Sequence, residues 1–179
     1  MKIRRVNLIA GPGVGKDTCA AGLFHQFKKA GYNCELITEY VKKWTYTNRV
    51  PDSWDQFYIC GKQNQMEFSA LNSGFDFVIS ASPLILQCYY GEKFGFVAWK
   101  DILNIVDKFE VEYPSLNIYL QRDDVKWHNN ARFQTQEDAV AMDDEIREFL
   151  LNNLNTLFFE FNHVTEFENL YSFIVNQLN

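Results

Sequence analysis

A glycine-rich segment near the start of the chain has the residue types and spacing that bind phosphate. In the pattern G-x-x-x-x-G-K-[ST], glycine amides surround the phosphates of a nucleotide and the lysine reaches the outer phosphates. Gly15 and Lys16 are in register with this pattern, so we predict that Lys16 neutralises a transferred phosphoryl group. The predicted ATP-binding residues are Gly11, Pro12, Gly13, Val14, Gly15, Lys16, Asp17 and Thr18.

Two positions of this loop depart from the pattern. Ala10 stands where the first glycine is expected, and Asp17 stands where serine or threonine is expected. Thr18 follows one place later. The hydroxyl at this position normally contacts Mg²⁺, so the departures predict a metal site that is built differently.

The elements around the loop indicate its context. An apolar run at 6–9 predicts a strand, and helical spacing at 16–30 predicts a helix that ends at Gly31. Further strands are predicted at 34–38, 75–80, 116–120 and 156–161. Helices are predicted from about 40 to 72 with a break near 49–53, where Ser53 is a candidate cap, and at 83–112, 136–153 and 166–178.

This alternation predicts an α/β fold of the three-layer P-loop type. Its mostly parallel, five-stranded sheet would carry helices on both faces. The sequence has no internal repeat or linker, so we predict a single domain over 1–179. Ligands of such sheets bind at the carboxyl ends of the strands, so the residues that follow each strand are the candidates for chemistry.

Three charged residues follow the predicted strands. Glu39 follows the second strand and could accept a proton from a substrate hydroxyl, or hold magnesium through water. Alternatively, it is a helix N-terminal glutamate. Arg122 follows the fourth strand, and Arg132 lies in a polar stretch with Lys126. We predict that Arg122 and Arg132 stabilise the charge of the transferring group, and that 122–135 is a mobile lid rather than an ordinary solvated loop.

A polar face of the helix near residue 60 is a candidate acceptor site. Gln56 and Gln63 share a face at seven-residue spacing, with Lys62 beside it, so we predict that these three bind the acceptor. An amphipathic helix with a polar outer face is the alternative. Five aromatic residues could stack on a base or simply form core, namely Trp44, Trp54, Tyr58, Tyr89 and Trp127.

Composition limits the classes of function. The chain has 179 residues, of which 47% are hydrophobic, a formal charge of −6 and a pI of about 5.1. The acidic balance argues against a whole-surface nucleic-acid binder but allows a local basic patch. Four scattered cysteines argue against a zinc or disulfide framework and suggest a reducing cytoplasm. No apolar run reaches membrane-spanning length, so we expect no membrane partner.

Several segments together resemble a known group of enzymes. They are the phosphate-binding loop with its helix start, the second strand with Glu39, residues 55–63, the Ser80-Ala81-Ser82-Pro83 segment, and residues 131–135. In this order they resemble the bacteriophage P-loop kinases related to the kinase domain of nicotinamide riboside kinases. This group includes 5-hydroxymethyldeoxyuridine DNA kinases, which phosphorylate the hydroxymethyl group of a modified pyrimidine in DNA.

The resemblance implies an ATP- and Mg²⁺-dependent phosphotransferase, located in the host cytoplasm if the chain is viral. Its acceptor would be a modified pyrimidine in DNA or, as in other relatives, a small nucleoside or nucleotide. Lys16 would be the phosphate lysine, Glu39 the acidic residue near the acceptor hydroxyl, and Arg132 the lid arginine.

One further departure concerns the metal site. The resembled group usually has aspartate where Ala81 stands, at the end of the third strand. This chain therefore lacks one carboxylate at Ala81 and has one more at Asp17. Our hypothesis is that Asp17 or Thr18 holds magnesium, directly or through water. The alternative is a degraded metal site in a protein that binds nucleotide without turnover.

Overall fold

A five-stranded parallel sheet forms the centre of the computed structural model, which describes residues 2–123, 127–128, 130 and 132–178. Its strands are β1 (Arg5–Ile9), β2 (Cys34–Ile37), β3 (Phe77–Ser80), β4 (Ser115–Leu120) and β5 (Phe158–Phe161). The spatial order is β2-β3-β1-β4-β5. In the centre of the sheet, Val6 lies opposite Ile79 of β3 and Leu116 of β4.

Seven helices connect and cover the strands within the described ranges. They are α1 (Lys16–Lys29), α2 (Lys42–Thr45), α3 (Asp55–Asn72), α4 (Leu84–Lys93), α5 (Trp99–Glu112), α6 (Gln136–Asn153) and α7 (Phe167–Leu178). The predicted α/β class, parallel sheet and element order are therefore confirmed.

Helices pack on both faces of the sheet because side chains along a strand alternate between the two faces. Val6 and Leu8 of β1 belong to a core with α1 and α7, whereas Ile9 belongs to a core with α4, α5 and α6. A smaller core joins α3 to Ile37 and Val78. The three layers fix the position of the loop that follows β1.

One local prediction differs from the structure, and another gains detail. The helical segments predicted over 83–112 are α4 and α5, which are separated where Gly95 adopts a left-handed φ of 71° that ends a helix. The predicted cap at Ser53 is wrong, since α3 begins at Asp55 after Trp54 and has no side-chain cap. Elsewhere the predicted bounds shift by one to three residues, as element ends commonly do.

In the described part of the chain, the helices are too short or too polar to cross a membrane.

Candidate active site

The glycine-rich loop leaves β1 and leads directly into the first turn of α1. Gly13 and Gly15 have φ angles of 82° and 106°, a region that residues with a side chain rarely adopt. The turn aims the N-terminus of α1 at the loop, where free backbone N–H groups and the helix dipole favour an anion. The backbone therefore forms the phosphate-binding geometry that the spacing predicts.

Aromatic rings pack against two of the loop glycines. A Cβ atom added to Gly13 would lie 2.4 Å from the Trp127 ring, and one added to Gly15 would lie 2.8 Å from His163. A hydrogen bond of 2.6 Å also joins His163 Nε2 to the carbonyl oxygen of Val14. His163 thus supports the loop.

Arg122 contacts the loop backbone from outside the cavity. Its Nη2 donates to the Pro12 carbonyl at 2.8 Å and to the Ala139 carbonyl at 3.1 Å, and its guanidinium pairs with Asp143. Because these partners engage the guanidinium, this placement differs from the predicted contact with a transferring phosphoryl group. The arrangement fixes the loop, and the catalytic role of Arg122 stays a prediction.

A cavity of about 630 Å³ opens beside the loop. The predicted site residues that line it are Pro12, Gly13, Gly15, Lys16, Asp17, Thr18, Glu39, Gln56 and Arg132. Five others do not line it, namely Gly11, Val14, Lys62, Gln63 and Arg122. These nine residues come from four separate segments of the sequence and meet at one site.

Lys16 lies at the loop end of the cavity. Its Nζ donates to the carbonyl oxygens of Ala10 and Gly11 at 2.9 and 3.0 Å. Burial lowers the pKa of the Lys16 ammonium, while the neighbouring carboxylates of Glu39 and Asp17 raise it. An anion entering the loop would add a favourable partner to this buried cation.

Glu39 reaches the cavity from the segment after β2. Burial raises the pKa of its carboxyl above the ordinary value, and Asp17 adds to this effect. The cations Lys16, Lys42 and Arg132 act in the opposite direction. A carboxylate with a raised pKa beside a phosphate loop suits proton transfer near neutral pH.

Asp17 forms an ion pair with Lys42 at the cavity wall. The hydrogen bond with this carboxylate raises the pKa of Lys42, and both side chains are about 40% exposed. The sequence reasoning missed Lys42, because a lysine three residues after Glu39 carries no motif of its own.

The donor set near Asp17 fits magnesium. Asp17 and Glu39 offer carboxylates and Thr18 offers a hydroxyl, all at the cavity wall. Hard oxygen ligands are what Mg²⁺ prefers, and it usually keeps several waters and binds substrate phosphates besides one or two carboxylates. The described residues contain no cluster of three or more His, Cys, Asp or Glu that could hold a metal alone. Substrate phosphates would therefore be needed to complete the site.

Amide and apolar side chains of α3 and α4 form another part of the cavity lining. Gln56 of α3 and Gln87 of α4 line it, each with only 2% of its surface exposed. The Gln87 amide donates to Ser82 Oγ at 3.1 Å, whereas the Gln56 side chain makes no hydrogen bond with the described residues. Ile59, Tyr90 and Phe94 add apolar surface, so the lining from α3 and α4 offers the mixture of amide and apolar groups that suits a flat polar ring.

The other two predicted acceptor residues lie elsewhere. Gln63 is buried beneath the segment after β2, where its Oε1 accepts from Tyr40 N at 3.0 Å and its Nε2 donates to the Thr38 carbonyl at 3.3 Å. Lys62 donates to Gln65 Oε1 at 3.2 Å on the outer side of α3. Gln63 therefore holds the segment that carries Glu39, and neither residue is placed to contact an acceptor in the cavity.

The predicted lid lies partly outside the described residues, which omit 124–126, 129 and 131, and with them the candidate Lys126. Arg132 is described. Its guanidinium lies 4.6 Å from the centre of the Trp127 ring, and its Nε donates to the His128 carbonyl at 2.7 Å. These contacts place Arg132 beside Gly13 of the phosphate loop. Closure of the segment stays a prediction.

Comparison with known proteins relates the chain through its fold. No protein-family model matches the sequence, and no curated protein matches it. Solved structures do match. NadR protein in complex with NAD and AMP-PNP superposes with a TM-score of 0.74 at 11% identity, covering 98% of this chain and 49% of that chain. The chain thus spans about half the length of NadR.

Two further structures match over nearly their whole length. Deoxyadenosine kinase from M. mycoides, with dCMP and dCDP bound, has a TM-score of 0.59 at 16% identity, with 98% of both chains covered. Thymidylate kinase from Ehrlichia chaffeensis has a TM-score of 0.56 at 14% identity, with 99% of both covered. The chain has the fold of these P-loop kinases.

Proposed function

We propose that this protein is an ATP-dependent kinase that transfers the γ-phosphoryl group to a hydroxyl of a nucleoside-type acceptor. The observation that carries the proposal is the cavity, in which the cation of Lys16 and the carboxylate of Glu39 lie next to a glycine loop. Phosphoryl transfer needs this combination of a phosphate cradle, positive charge and an acidic group that orients the nucleophile.

The residues divide the reaction between them. Glu39 accepts the proton of the acceptor hydroxyl as the oxygen forms its bond to the γ-phosphorus. The bond between this phosphorus and the bridging oxygen breaks, and ADP leaves with the bonding electrons. Lys16 and Arg132 stabilise the negative charge on the transferring oxygens, which is the main contribution that a protein makes to this chemistry.

Magnesium is proposed to bind at Asp17 or Thr18, directly or through water, with Glu39 within the same cavity. When bound, the metal would neutralise charge on the phosphates. Lys42 would have to give up its pairing with Asp17, or share it, as the metal binds.

The most specific candidate acceptor is the hydroxymethyl group of a modified pyrimidine in DNA. It is supported by the sequence resemblance to phage DNA kinases. A free nucleoside or nucleoside monophosphate is the alternative. Its support is the size of the cavity, about 630 Å³, which could enclose such a molecule beside the amides of Gln56 and Gln87. The folds of deoxyadenosine and thymidylate kinase also favour it.

A nucleotide-binding protein without turnover is the rival outside the enzyme class. Its support is Ala81, which is buried at the end of β3 and provides no metal ligand.

One experiment separates the three candidates. The full chain is mixed with [γ-³²P]ATP and Mg²⁺ and offered hydroxymethyluracil-containing DNA, unmodified DNA, free nucleosides and nucleoside monophosphates in turn. We expect label in modified DNA. Label in a free nucleoside or monophosphate alone would establish the small-molecule alternative, and ATP binding without transfer to any acceptor would establish the third candidate.

A further inference from the structure

The outer face of α3 exposes large aromatic side chains that the kinase chemistry does not use. Trp54, Phe57, Tyr58 and Phe68 are exposed by 66%, 61%, 46% and 45%. They recur at three- and four-residue intervals and at a longer step, so they share one side of the helix, over roughly 21 Å at 1.5 Å per residue. We call these four residues the α3 aromatic face. Gly61, Asn64 and Gln65 lie between Tyr58 and Phe68 on the same side, so this side offers separate aromatic rings on a polar surface, which suits the stacking of planar groups.

Cations lie among rings at the start of this face. Lys43 Nζ is 4.0 Å from the centre of the Tyr40 ring, Arg49 is 3.5 Å from that of Trp44, and Lys62 Nζ is 5.9 Å from that of Tyr58. Residues 40–66 contain four basic and two acidic side chains, although the whole chain carries a net charge of −6. Lys42 pairs with Asp17, and Arg49 pairs with Asp55 at 3.0 Å, so a phosphate at Arg49 would share the guanidinium with that carboxylate. This region is therefore basic and rich in aromatic residues, whereas the protein as a whole is acidic.

The face adjoins the cavity through the same helix. Gln56 and Ile59 point into the cavity from the inner side of the first turns of α3, while Phe57 and Tyr58 occupy the outer side of those turns. Val50 and Pro51, which lead into α3, also line the cavity. The start of the aromatic face is therefore separated from the cavity by the width of α3, within the reach of a chain molecule that has one residue in the cavity.

We propose that the α3 aromatic face, with Lys43, Arg49 and Lys62, binds single-stranded DNA next to an acceptor nucleotide in the cavity. Unpaired bases stack on exposed aromatic rings without regard to sequence, and phosphates pair with the interspersed cations. This inference rests on the proposed kinase function and extends it from the acceptor group to the strand that carries it.

Charge complementarity favours a nucleic acid over a second copy of the chain. In a symmetric contact between two copies, Lys43 and Lys62 would face the same cations of the partner and lose water without gaining an anion. A DNA strand supplies one phosphate per nucleotide along the face.

The test measures binding without turnover. Fluorescence anisotropy of a labelled dT₁₂ oligonucleotide is recorded against the full chain at several salt concentrations. We expect saturable binding. The logarithm of the association constant should fall linearly with the logarithm of the salt concentration, with a slope of about −2, as three phosphate contacts would give.

Substitutions locate the binding surface. Phe57→Ser and Trp54→Leu should each weaken dT₁₂ binding by about 5- to 150-fold, the range for loss of one stacked base. Leucine keeps apolar contact between position 54 and Phe96, against which Trp54 packs. Leu157→Ser removes a side chain that is 80% exposed outside α3 and is the matched control, expected to bind like the parent. Thermal melting of each variant verifies folding.

The outcomes separate this inference from the proposed function. Equal dT₁₂ binding by the parent and both face variants, or no saturable dT₁₂ binding by the parent, would overturn the α3 assignment, even if free nucleosides are phosphorylated. A dimer in sedimentation that Phe57→Ser dissociates, without any dT₁₂ binding, would overturn it in favour of self-association. Binding that the face variants weaken, in a protein that phosphorylates no acceptor, would support the surface while the kinase proposal fails.

Discussion

Two clusters of charged side chains lie at opposite ends of β1 and differ in how completely they are buried and paired. The Arg5 cluster consists of Arg5, Glu67, Glu110 and Ser80, and the cavity cluster consists of Lys16, Asp17, Glu39 and Lys42. Burial raises the pKa of a glutamate in each, Glu67 and Glu39. In both clusters, removal of charge from water therefore costs free energy, which partners of opposite charge must offset.

The Arg5 cluster is satisfied within the protein. Arg5 donates to the Tyr113 carbonyl at 2.8 Å and pairs with Glu67 and Glu110. Glu67 also accepts from Ser80 Oγ at 2.7 Å. A network of this kind joins β1, α3, β3 and α5 and leaves little capacity for a ligand.

The cavity cluster keeps unused capacity. Lys16 donates only to loop carbonyls, and Glu39 makes no side-chain hydrogen bond with the described residues. A carboxylate with a raised pKa and no such partner is costly for the fold, and functional sites commonly retain such costs. Arg5 and Glu67 are almost fully buried and paired, whereas Lys16 and Glu39 are only partly buried and keep open hydrogen-bonding capacity. Pairing and burial together therefore separate the structural cluster from the candidate active site.

Lys16→Met tests the open cluster with the largest expected effect. Removing a cation that stabilises the transferring phosphoryl group should lower kcat by about 10³- to 10⁵-fold. Folding should be unchanged or strengthened, because a buried charge with a lowered pKa is removed. Single-turnover transfer from labelled ATP and urea denaturation measure the two effects. Lys29→Met, at the exposed end of α1, is the control, and a Lys16→Met rate within tenfold of the parent would contradict the assignment.

Glu39→Gln tests the proposed base and should lower kcat by about 10²- to 10⁴-fold. In the parent, transfer should fall on acidification at a higher pH than an ordinary glutamate would give, because burial raises the pKa of Glu39. This fall of the rate on acidification, the acid limb of the pH profile, should be absent in Glu39→Gln. The pH dependence of kcat for the parent, Glu39→Gln and the β2 control Glu35→Gln provides the measurement.

Stability gives Glu39 a second readout. A raised folded-state pKa means that the folded protein holds the proton more tightly, so this group's contribution to stability falls as pH rises from the unfolded to the folded pKa. Glu39→Gln should therefore unfold at equal or higher temperature than the parent at neutral pH. A less stable Glu39→Gln, with its acid limb retained, would mean that Glu39 belongs with the structural cluster.

Glu67→Leu tests the closed cluster. It leaves Arg5 buried with one fewer carboxylate and should lower the free energy of unfolding by about 3–5 kcal/mol. Adding Arg5→Met should restore much of this loss, since the unpaired charge goes with it. Urea denaturation of the single and double variants measures both, with ATP affinity expected to be unchanged. A stable Glu67→Leu with weakened ATP binding would reverse the roles of the clusters.

Local sequence patterns predict the fold and the phosphate loop. They do not predict the ion pairs that decide whether a charged residue is structural or is available to a ligand. The apolar runs of the strands and the spacing of Gly15 and Lys16 are local signals. The pair of Arg122 with Asp143 joins residues 21 positions apart, and that of Lys42 with Asp17 joins residues 25 apart. Neither has a sequence signature, because the fold alone brings the partners together.

The helical spacing on α3 likewise predicts which residues share a face, but it does not predict what that face contacts. Gln56 and Gln63 share a face as their spacing predicts, but Gln56 lines the cavity while Gln63 anchors the backbone at Thr38 and Tyr40. A difference of two helical turns decides between the two roles, and only the position of the segment after β2 sets it.

Asp17→Ala is expected to have the smallest effect and tests whether the cavity cluster holds the metal. Loss of one carboxylate should raise the Mg²⁺ concentration for half-maximal rate by about tenfold, with a similar loss of Mn²⁺ affinity in the presence of an ATP analogue, measured by electron paramagnetic resonance. Asp17→Ser restores the usual hydroxyl and should fall between the two. Lys42→Met should shift both readouts the other way, because it frees the carboxylate from its ion pair. An Asp17→Ala protein with the parental rate at limiting Mg²⁺ and unchanged Mn²⁺ affinity would show that Asp17 only pairs with Lys42, and that the absent carboxylate at Ala81 is not replaced there.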